Sequence, residues 1–222
     1  MRRVLRILAT ALITAGGVLF VDVAVTLAWK EPVSALYASL LQGQARAELD
    51  DLERSLADSG VLTAAAGDES ERAAELADAL SSRLETGKAI GELRAPAMGV
   101  DQVIIAGTDT DSLKRGPGHY PTTGLPGAGT TVAIAGHRTT YGAPFRDIDA
   151  IEVGDGIEVE MPYGTFSYEV TKTRIVEPTQ TEIVRDTGRE RLVLTACHPL
   201  YSAAKRYAVM ARPAGFELAP GN

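Results

Sequence analysis

The chain has 222 residues, of which 45% are hydrophobic and 23% are charged, values that are ordinary for a globular protein of one or two domains. This composition excludes a collagen-like, a wholly disordered and a polytopic membrane protein, and the net charge of −7 argues against a general nucleic-acid binder. The single cysteine, Cys197, excludes an intramolecular disulfide framework and a cysteine-based zinc cluster.

The N-terminus carries an apolar stretch from Ile7 to Trp29 behind three arginines at positions 2, 3 and 6. A helix over residues 7–29 is long enough to cross a hydrocarbon core of about 30 Å, and Trp29 falls where an interfacial aromatic is expected. The positive-inside rule then places residues 1–6 in the cytoplasm and everything after Trp29 outside. A cleaved signal peptide is the alternative, but its apolar region would be about 7–15 residues long. We therefore predict an uncleaved single-pass anchor.

The next segment, residues 30–87, is predicted to be an acidic helical stalk or linker. Residues 44–92 hold five basic and twelve acidic side chains, and Ala, Leu, Glu and Arg favour helix throughout. Apolar residues recur at three- and four-residue intervals: Leu41, Ala45, Leu49, Leu52 and Leu56. The pattern predicts a spacer with one face packed on the following domain. A coiled coil or a partner-binding helix is the alternative.

A second helix in this segment is predicted to begin after Asp68. The Asp68 carboxylate can cap the helix, and Glu71 completes a capping box. Leu76, Leu80 and Leu84 then form the apolar stripe, and Gly87 is the predicted C-cap.

Residues 88–218 are predicted to form a β-domain, because short strand-like runs alternate with turn residues. The candidate strands are Lys88–Leu93, Gln102–Ala106, Thr131–Gly136, Gly156–Pro162, Thr165–Val176, Arg191–Ala196 and Arg206–Ala211. Met161–Thr165 is a predicted hairpin turn, and Asp109–Arg115 and Ala143–Ala150 are predicted short helical turns. Seven or eight strands in this length predict a closed barrel or a sandwich. The segment contains no phosphate loop, dinucleotide fingerprint or metal-ligand helix, so no cofactor or metal is indicated.

Three residue types at the ends of predicted strands point to acyl-transfer chemistry. Cys197 ends one apolar run, His137 ends another, and Arg206 opens the strand that follows the cysteine. If these strands are neighbours, the thiol, imidazole and guanidinium would supply a nucleophile, a proton donor and an oxyanion stabiliser. A buried and inert Cys197, or one that forms a disulfide with another chain, is the competing interpretation.

The remaining histidines and nearby arginines are expected to be structural. His119 lies in a Gly- and Pro-rich loop, and His198 should face away from its neighbour Cys197 and shape the following loop. Arg138 should face away from His137 for the same reason. The residues Arg185, Arg189 and Arg191 are expected to be solvated.

Two segments resemble the signature segments of the sortase family: Thr131–Arg138, which reads TVAIAGHR, and Leu192–Arg206, which reads LVLTACHPLYSAAKR. The segments Gly116–Pro121 and Gly142–Asp147 are similar to further family segments at the expected spacing. The resemblance covers roughly residues 88–215, and within the family the sequence looks most like class E.

The resemblance implies a mainly β fold, a closed sortase-type β-barrel of about eight strands with short helices. It also implies a cysteine transpeptidase without a cofactor, in which Cys197 is the nucleophile, His137 the general acid and Arg206 the stabiliser of the substrate carbonyl. The implied partners are surface proteins with a C-terminal LPXTG- or LAXTG-type sorting signal, an amine from a peptidoglycan precursor, and membrane lipid through the anchor. Nucleic acid is not an expected partner.

One residue departs from the family pattern. Sortases commonly carry Thr immediately before the cysteine, where this chain has Ala196. This puts in doubt any substrate contact of that hydroxyl, and Thr195 cannot replace it because it should face the other way.

Three alternatives remain at this point. An L,D-transpeptidase would carry Ser-x-Gly-Cys-x-Arg, but the residues before Cys197 are Leu-Thr-Ala and the arginine lies nine residues later. A pilin-polymerising sortase would often carry an Asp-Pro-aromatic lid motif, and the sequence has none. A non-enzymatic surface scaffold would use Cys197 as a core residue and the stalk as its binding element.

Overall fold

The computed structural model describes residues 2–28, 32–64 and 67–220. Helix α1 runs over Arg2–Ala28, and its first 20 residues are long and apolar enough to cross a membrane. This helix is consistent with the predicted single-pass anchor. Trp29, the predicted interfacial aromatic, lies outside the described residues.

Three more helices precede the β-domain: α2 (Pro32–Asp58), α3 (Val61–Ala64) and α4 (Glu69–Ser81). The predicted capping box of α4 is confirmed, since the Asp68 carboxylate accepts from the Glu71 N–H and the Glu71 carboxylate accepts from the Asp68 N–H. The predicted C-cap at Gly87 is wrong. Helix α4 ends five residues earlier with Ser82 as its cap, and Gly87 instead has a φ of +87° in the turn into the first strand.

Within the described residues, eight strands form a closed barrel in the order β1-β2-β3-β4-β7-β8-β6-β5. The strands are β1 (Ala89–Ala95), β2 (Val100–Ala106), β3 (Gly118–His119), β4 (Thr131–Gly136), β5 (Gly156–Met161), β6 (Gly164–Val176), β7 (Arg191–His198) and β8 (Lys205–Leu218). Helix α5 (Thr110–Arg115) lies between β2 and β3, and 3₁₀ turns occupy Pro96–Met98, Ile148–Ala150 and Thr181–Val184. The barrel confirms the predicted fold class.

The predicted strands match the observed ones closely at β4 and at the β5–β6 hairpin. Strand β3 was not predicted, because it has only two residues inside a Gly- and Pro-rich stretch. Strand β8 runs to Leu218 rather than Ala211. Its Pro213 pairs with Tyr168 next to a register shift between Ser167 and Tyr168, and such an irregularity is one of the few places where a strand accommodates proline.

The barrel core continues onto helix α4. Ala73, Leu76, Ala77 and Leu80 of this helix are buried in the same cluster as barrel residues such as Ile90, Leu93, Phe166 and Leu192. The helix therefore covers part of the barrel surface with the apolar stripe that its sequence predicts.

Helix α2 lies against strands β1 and β2. Its residues Ala45 and Leu49 are buried with Ala89, Val103 and Ile105, and Leu52 packs at the edge of this cluster. Gln42 adds a polar link: its side-chain Oε1 accepts from the Val103 N–H at 2.8 Å, while Nε2 donates to the Val103 and Arg115 carbonyls at 3.2 and 2.7 Å. The predicted apolar stripe thus packs on the barrel over most of the helix length.

Candidate active site

Strands β4 and β7 are parallel neighbours, and they bring His137 beside Cys197. Their register pairs Ala135 with Thr195 and Gly136 with Ala196. Because the register advances one residue at a time on both strands, His137, which follows β4, comes level with Cys197 near the end of β7. The ends of parallel strands meet at one edge of a sheet, so both side chains are placed at the same rim of the barrel.

The antiparallel pair β7–β8 places Arg206 directly opposite Cys197. Side chains of directly opposed residues lie about 4.5–5.5 Å apart at their Cβ atoms. Three adjacent strands therefore contribute the thiol, the imidazole and the guanidinium to one patch. We call Cys197, His137 and Arg206 the outer group.

The outer group faces away from the barrel core. Leu192, Leu194 and Ala196 of β7 are buried in the core, and side chains alternate along a strand, so Cys197 points to the opposite face. The thiol is free and the residue is partly exposed. A reactive cysteine needs such access, whereas an inert structural cysteine is usually fully buried.

His137 lies half-buried at this patch with one ring nitrogen unused. Its Nε2 atom is buried and has no hydrogen-bond partner among the described residues. Burial lowers the pKa of His137, which favours the neutral imidazole. The Tyr141 ring covers it, with ring centroids 5.1 Å apart and planes inclined by 49°. A buried polar atom without a partner is uncommon, and a role in catalysis is one of the explanations for it.

Arg206 is oriented by the loop that joins β7 to β8. Its Nη1 donates to the carbonyls of Ala203 at 3.0 Å and Lys205 at 3.1 Å. Both bonds use the same nitrogen, so they fix the guanidinium without using the N–H groups on Nε and Nη2. Those groups are chemically suited to bind a carbonyl oxygen or an oxyanion.

Comparison with known proteins identifies the family of the barrel domain. The family model of the sortase domain matches residues 93–214, which is more than half of the chain and includes all three members of the outer group. The chain belongs to the sortase family. Nothing in this match extends to helices α1, α2 or α4.

Individual relatives agree with this assignment. Sortase D of Bacillus subtilis is 37% identical over 133 residues, which cover 58% of this chain and 66% of that protein. Sortase SrtE2 of Streptomyces coelicolor is 30% identical and the match covers 57% of this chain and 56% of that protein. The solved structure of the SrtA sortase of Actinomyces oris superposes with a TM-score of 0.56 at 31% identity, over 61% of this chain and 84% of that one. The matched part of this sortase thus spans less than two thirds of the length of the curated relatives.

On the other face of the same strand ends, the sortase has a polar cluster that we call the inner network: Arg138, His198 and Asp149. Arg138 is only 4% exposed, and its Nη1 lies 3.0 Å from Nδ1 of His198 while Nη2 pairs with the Asp149 carboxylate. Its Nε donates to the Arg146 carbonyl at 3.0 Å. The prediction that Arg138 and His198 face away from their neighbours His137 and Cys197 is confirmed.

Arg138 is the donor in each contact of the inner network. A guanidinium has no acceptor atom, so Nδ1 of His198 is the acceptor in its contact with Arg138. Burial alone would raise the pKa of Asp149, but the hydrogen bond from Arg138 and its positive charge lower it below the ordinary value. Sequence reasoning missed Asp149, because it lies in a 3₁₀ turn with no pattern that distinguishes it from other surface carboxylates.

The predictions for His119 and for the three arginines Arg185, Arg189 and Arg191 have different outcomes. Arg185 and Arg189 are exposed, as predicted. His119 is buried in β3 with Nε2 2.8 Å from the Gly124 carbonyl, so its predicted structural role is confirmed. The prediction that Arg191 is solvated is wrong. Its side chain donates to the Thr131 hydroxyl and to the carbonyls of Ile183 and Arg185, and it ties β7 to the loop that precedes it.

Ala196 occupies the position where the family usually has Thr. The side chain is 3% exposed and belongs to the barrel core, on the face opposite Cys197. Thr195 lies on the outer face, as predicted, where its hydroxyl is 3.0 Å from the Tyr120 hydroxyl. A threonine at position 196 would therefore direct its hydroxyl toward the core and not into the outer group.

Proposed function

We propose that this sortase cleaves a C-terminal sorting signal of the LPXTG or LAXTG type between Thr and Gly and transfers the new acyl end to an amine of the cell wall. The observation that carries the proposal is the meeting of Cys197, His137 and Arg206 on three adjacent strand ends, outside the core. Membership of the sortase family supports the same chemistry.

In the first half-reaction, the Cys197 thiolate attacks the carbonyl carbon of the signal threonine, and the C=O π electrons move onto oxygen. The N–H groups on Nε and Nη2 of Arg206 stabilise the resulting oxyanion. Collapse of the tetrahedral intermediate breaks the Thr–Gly bond, and protonated His137 gives its proton to the leaving glycine amine. A thioester on Cys197 and a neutral His137 remain.

In the second half-reaction, an acceptor amine attacks the thioester carbon. His137 takes a proton from that amine, the C–S bond breaks, and the Cys197 thiolate returns with a new amide as product. Burial lowers the pKa of His137, so the imidazolium form that donates the proton in the first half-reaction is disfavoured.

The chain would cross the membrane once. Residues 1–6 would lie in the cytoplasm, residues 7–29 would span the membrane, residues 30–87 would form the helical linker, and residues 88–218 would form the catalytic barrel outside. The arginines before the apolar helix support this orientation. Both substrates of such an enzyme, a secreted protein and a cell-wall precursor, are found on that side.

The test incubates the full chain in lipid nanodiscs with fluorescent LAXTG and LPXTG peptides and an amine acceptor. Transfer that requires Cys197 supports the proposal, and the absence of Cys197-dependent cleavage of either peptide contradicts it. Binding of a partner through residues 30–87 without turnover would instead support the surface scaffold.

The class is decided by the same assay. Class E predicts a higher kcat/KM for LAXTG than for LPXTG. Relatives named as sortases D and E both match this chain, at 37% and 30% identity, so the ratio of the two kcat/KM values is the relevant measurement. Equal or reversed values would contradict class E and leave the transpeptidase proposal intact.

A further inference from the structure

Helix α2 lies outside the segment matched by the sortase family model, yet it touches the loop that carries His137. The contact is between Ala38 of α2 and Gly142 of the 137–146 loop. A methyl group added to Gly142 would lie 2.6 Å from the Ala38 Cβ, well inside the ordinary carbon–carbon contact of about 3.5–4.0 Å. The loop backbone therefore packs directly on the helix.

The 137–146 loop has an unusual conformation at this contact. Three consecutive residues, Tyr141, Gly142 and Ala143, have φ values of +53°, +74° and +45°. Non-glycine residues rarely adopt such values, and they persist only where the surroundings hold them. Hydrogen bonds close the loop from the Ala143 N–H to the Thr140 carbonyl and from the Phe145 N–H to the His137 carbonyl, both at 2.9 Å.

This conformation directs the Tyr141 ring onto His137. The two ring centroids are 5.1 Å apart, and Nζ of Lys114 in helix α5 lies 5.9 Å from the Tyr141 ring centroid. Tyr141 is thus held between a cation on α5 and the imidazole. The Tyr141 ring therefore forms one wall of the space that the His137 imidazole occupies.

Helix α2 is itself fixed one turn further on. Gln42 lies four residues after Ala38 on the same helix face, and its amide bonds to Val103 of β2 and to the Arg115 carbonyl at the end of α5. The bonds to Arg115 and Val103 therefore fix α2 against both α5 and the barrel. The position of Ala38 relative to the loop follows from these bonds.

We propose that the first turns of α2 are part of the active-site scaffold: Ala38 supports the 137–146 loop so that Tyr141 positions His137 for proton transfer. This inference rests on the proposed function of His137. Ala38 and Tyr141 are positioning residues, since they act through the histidine. The segment between anchor and barrel would then be required for catalysis and would not be only a spacer.

The test is a double-mutant cycle on the full chain in nanodiscs, with kcat and KM measured for the LAXTG peptide. Gly142→Ala adds the methyl group that meets Ala38, and we expect kcat to fall about 10–100-fold with KM nearly unchanged, because a displacement of about 1 Å has effects of this size. Ala38→Gly in the same chain removes the opposing methyl group and should restore kcat to within about threefold of Ala38→Gly alone.

Gly129→Ala is the matched control. Gly129 has a φ of +72°, close to that of Gly142, and a methyl group there would meet nothing within 4 Å. This variant therefore introduces the same backbone strain at the far end of β4, and its kcat should stay within about twofold of wild type. Tyr141→Phe, which keeps the ring, should retain most of kcat, whereas Tyr141→Ala should lose about tenfold.

The outcomes separate this inference from the proposed function. If the wild-type enzyme is active but the effects of Gly142→Ala and Ala38→Gly on kcat are additive, the inference is overturned and the proposed function stands. The same follows if Tyr141→Ala keeps the wild-type kcat. A wild-type chain without Cys197-dependent turnover overturns the proposed function and this inference with it. Thermal unfolding of each variant confirms that the barrel is folded when the rates are compared.

Discussion

The two faces of the same strand ends differ in how their polar groups are satisfied. In the inner network, Arg138 uses Nε, Nη1 and Nη2 on a carbonyl, a histidine and a carboxylate. In the outer group, His137 Nε2 has no partner among the described residues and the Cys197 thiol is free. One residue step along β7, from Cys197 to His198, crosses from one face to the other. Both groups contain a histidine and an arginine, so residue type does not distinguish them. The outer group differs from the inner network because some of its polar atoms have no hydrogen-bond partner within the described part of the chain.

The largest effect is expected when the outer group loses its nucleophile or its histidine. Cys197→Ala should abolish transfer, and His137→Ala should lower kcat at least about 10³-fold, because no neighbouring group replaces either atom. Peptide transfer measured by chromatography gives both values.

His198→Ala is the matched control for His137→Ala, since the two histidines lie at the same barrel end on opposite faces. It should lower thermal stability and leave a substantial kcat. If His198→Ala were as inactive as His137→Ala while still folded, the division into two faces would not hold.

Arg206 should rank next. Arg206→Ala removes the proposed oxyanion donors and should lower kcat about 10²–10³-fold with a smaller change in KM. Arg206→Lys keeps the charge but loses the planar fork, so only part of the rate should return. Steady-state kinetics on both variants provides the measurement, and an Arg206→Ala enzyme of wild-type rate would remove the residue from the mechanism.

The inner network predicts an effect on stability. Arg138→Ala removes a side chain that is only 4% exposed, together with its bonds to the Arg146 carbonyl, to partly exposed His198 and to the exposed Asp149 carboxylate. The expected cost is about 2–3 kcal/mol in the free energy of unfolding. For a chain of this size the Tm should fall by about 5–10 °C. Calorimetry with Arg189→Ala as the exposed-arginine control provides the comparison, and equal Tm values for the two variants would show that the network does not stabilise the barrel.

The smallest effect concerns pH. Burial lowers the pKa of His119 below its ordinary value, and the hydrogen bond to Gly124 offsets only part of this. As the pH falls below about 6.5, the unfolded chain therefore binds a proton at His119 before the folded protein does. The free energy of unfolding decreases from that pH down to the lowered pKa of His119 in the folded protein. One such histidine contributes a slope of at most about 1.4 kcal/mol per pH unit.

His119→Gln should flatten this pH dependence, because glutamine keeps a donor for the Gly124 carbonyl and does not titrate. Chemical unfolding at pH 7.5, 6.5 and 5.5 measures the change. Since burial lowers the pKa of His137 in the same direction, part of the slope should remain in the variant. An unchanged slope in His119→Gln would assign the whole effect to other groups.

Local pattern predicted the strand ends that carry the candidate site better than it predicted the contacts around them. The ends of β4 and β7 follow from apolar runs that stop at His137 and near Cys197, and strand alternation correctly separated Cys197 from His198. Local pattern could not predict that Asp149 would meet Arg138, or that Arg191 would bind a loop. Both depend on how a loop folds back over 6 to 11 residues onto its strand, which no local pattern encodes. A charged side chain also looks the same in sequence whether it is solvated or paired.

The Gln42 amide also bears on which fragments of this protein can be handled in isolation. It occupies the N–H and C=O of Val103 on the side of β2 that faces away from β1, where β3 begins to pair only two residues later, at Ile105. A fragment that starts at residue 88 would leave this backbone open, and open strand edges pair with other chains. Aggregation of such a fragment, together with a soluble fragment that starts at Pro32, is therefore the expected behaviour of this protein in expression trials.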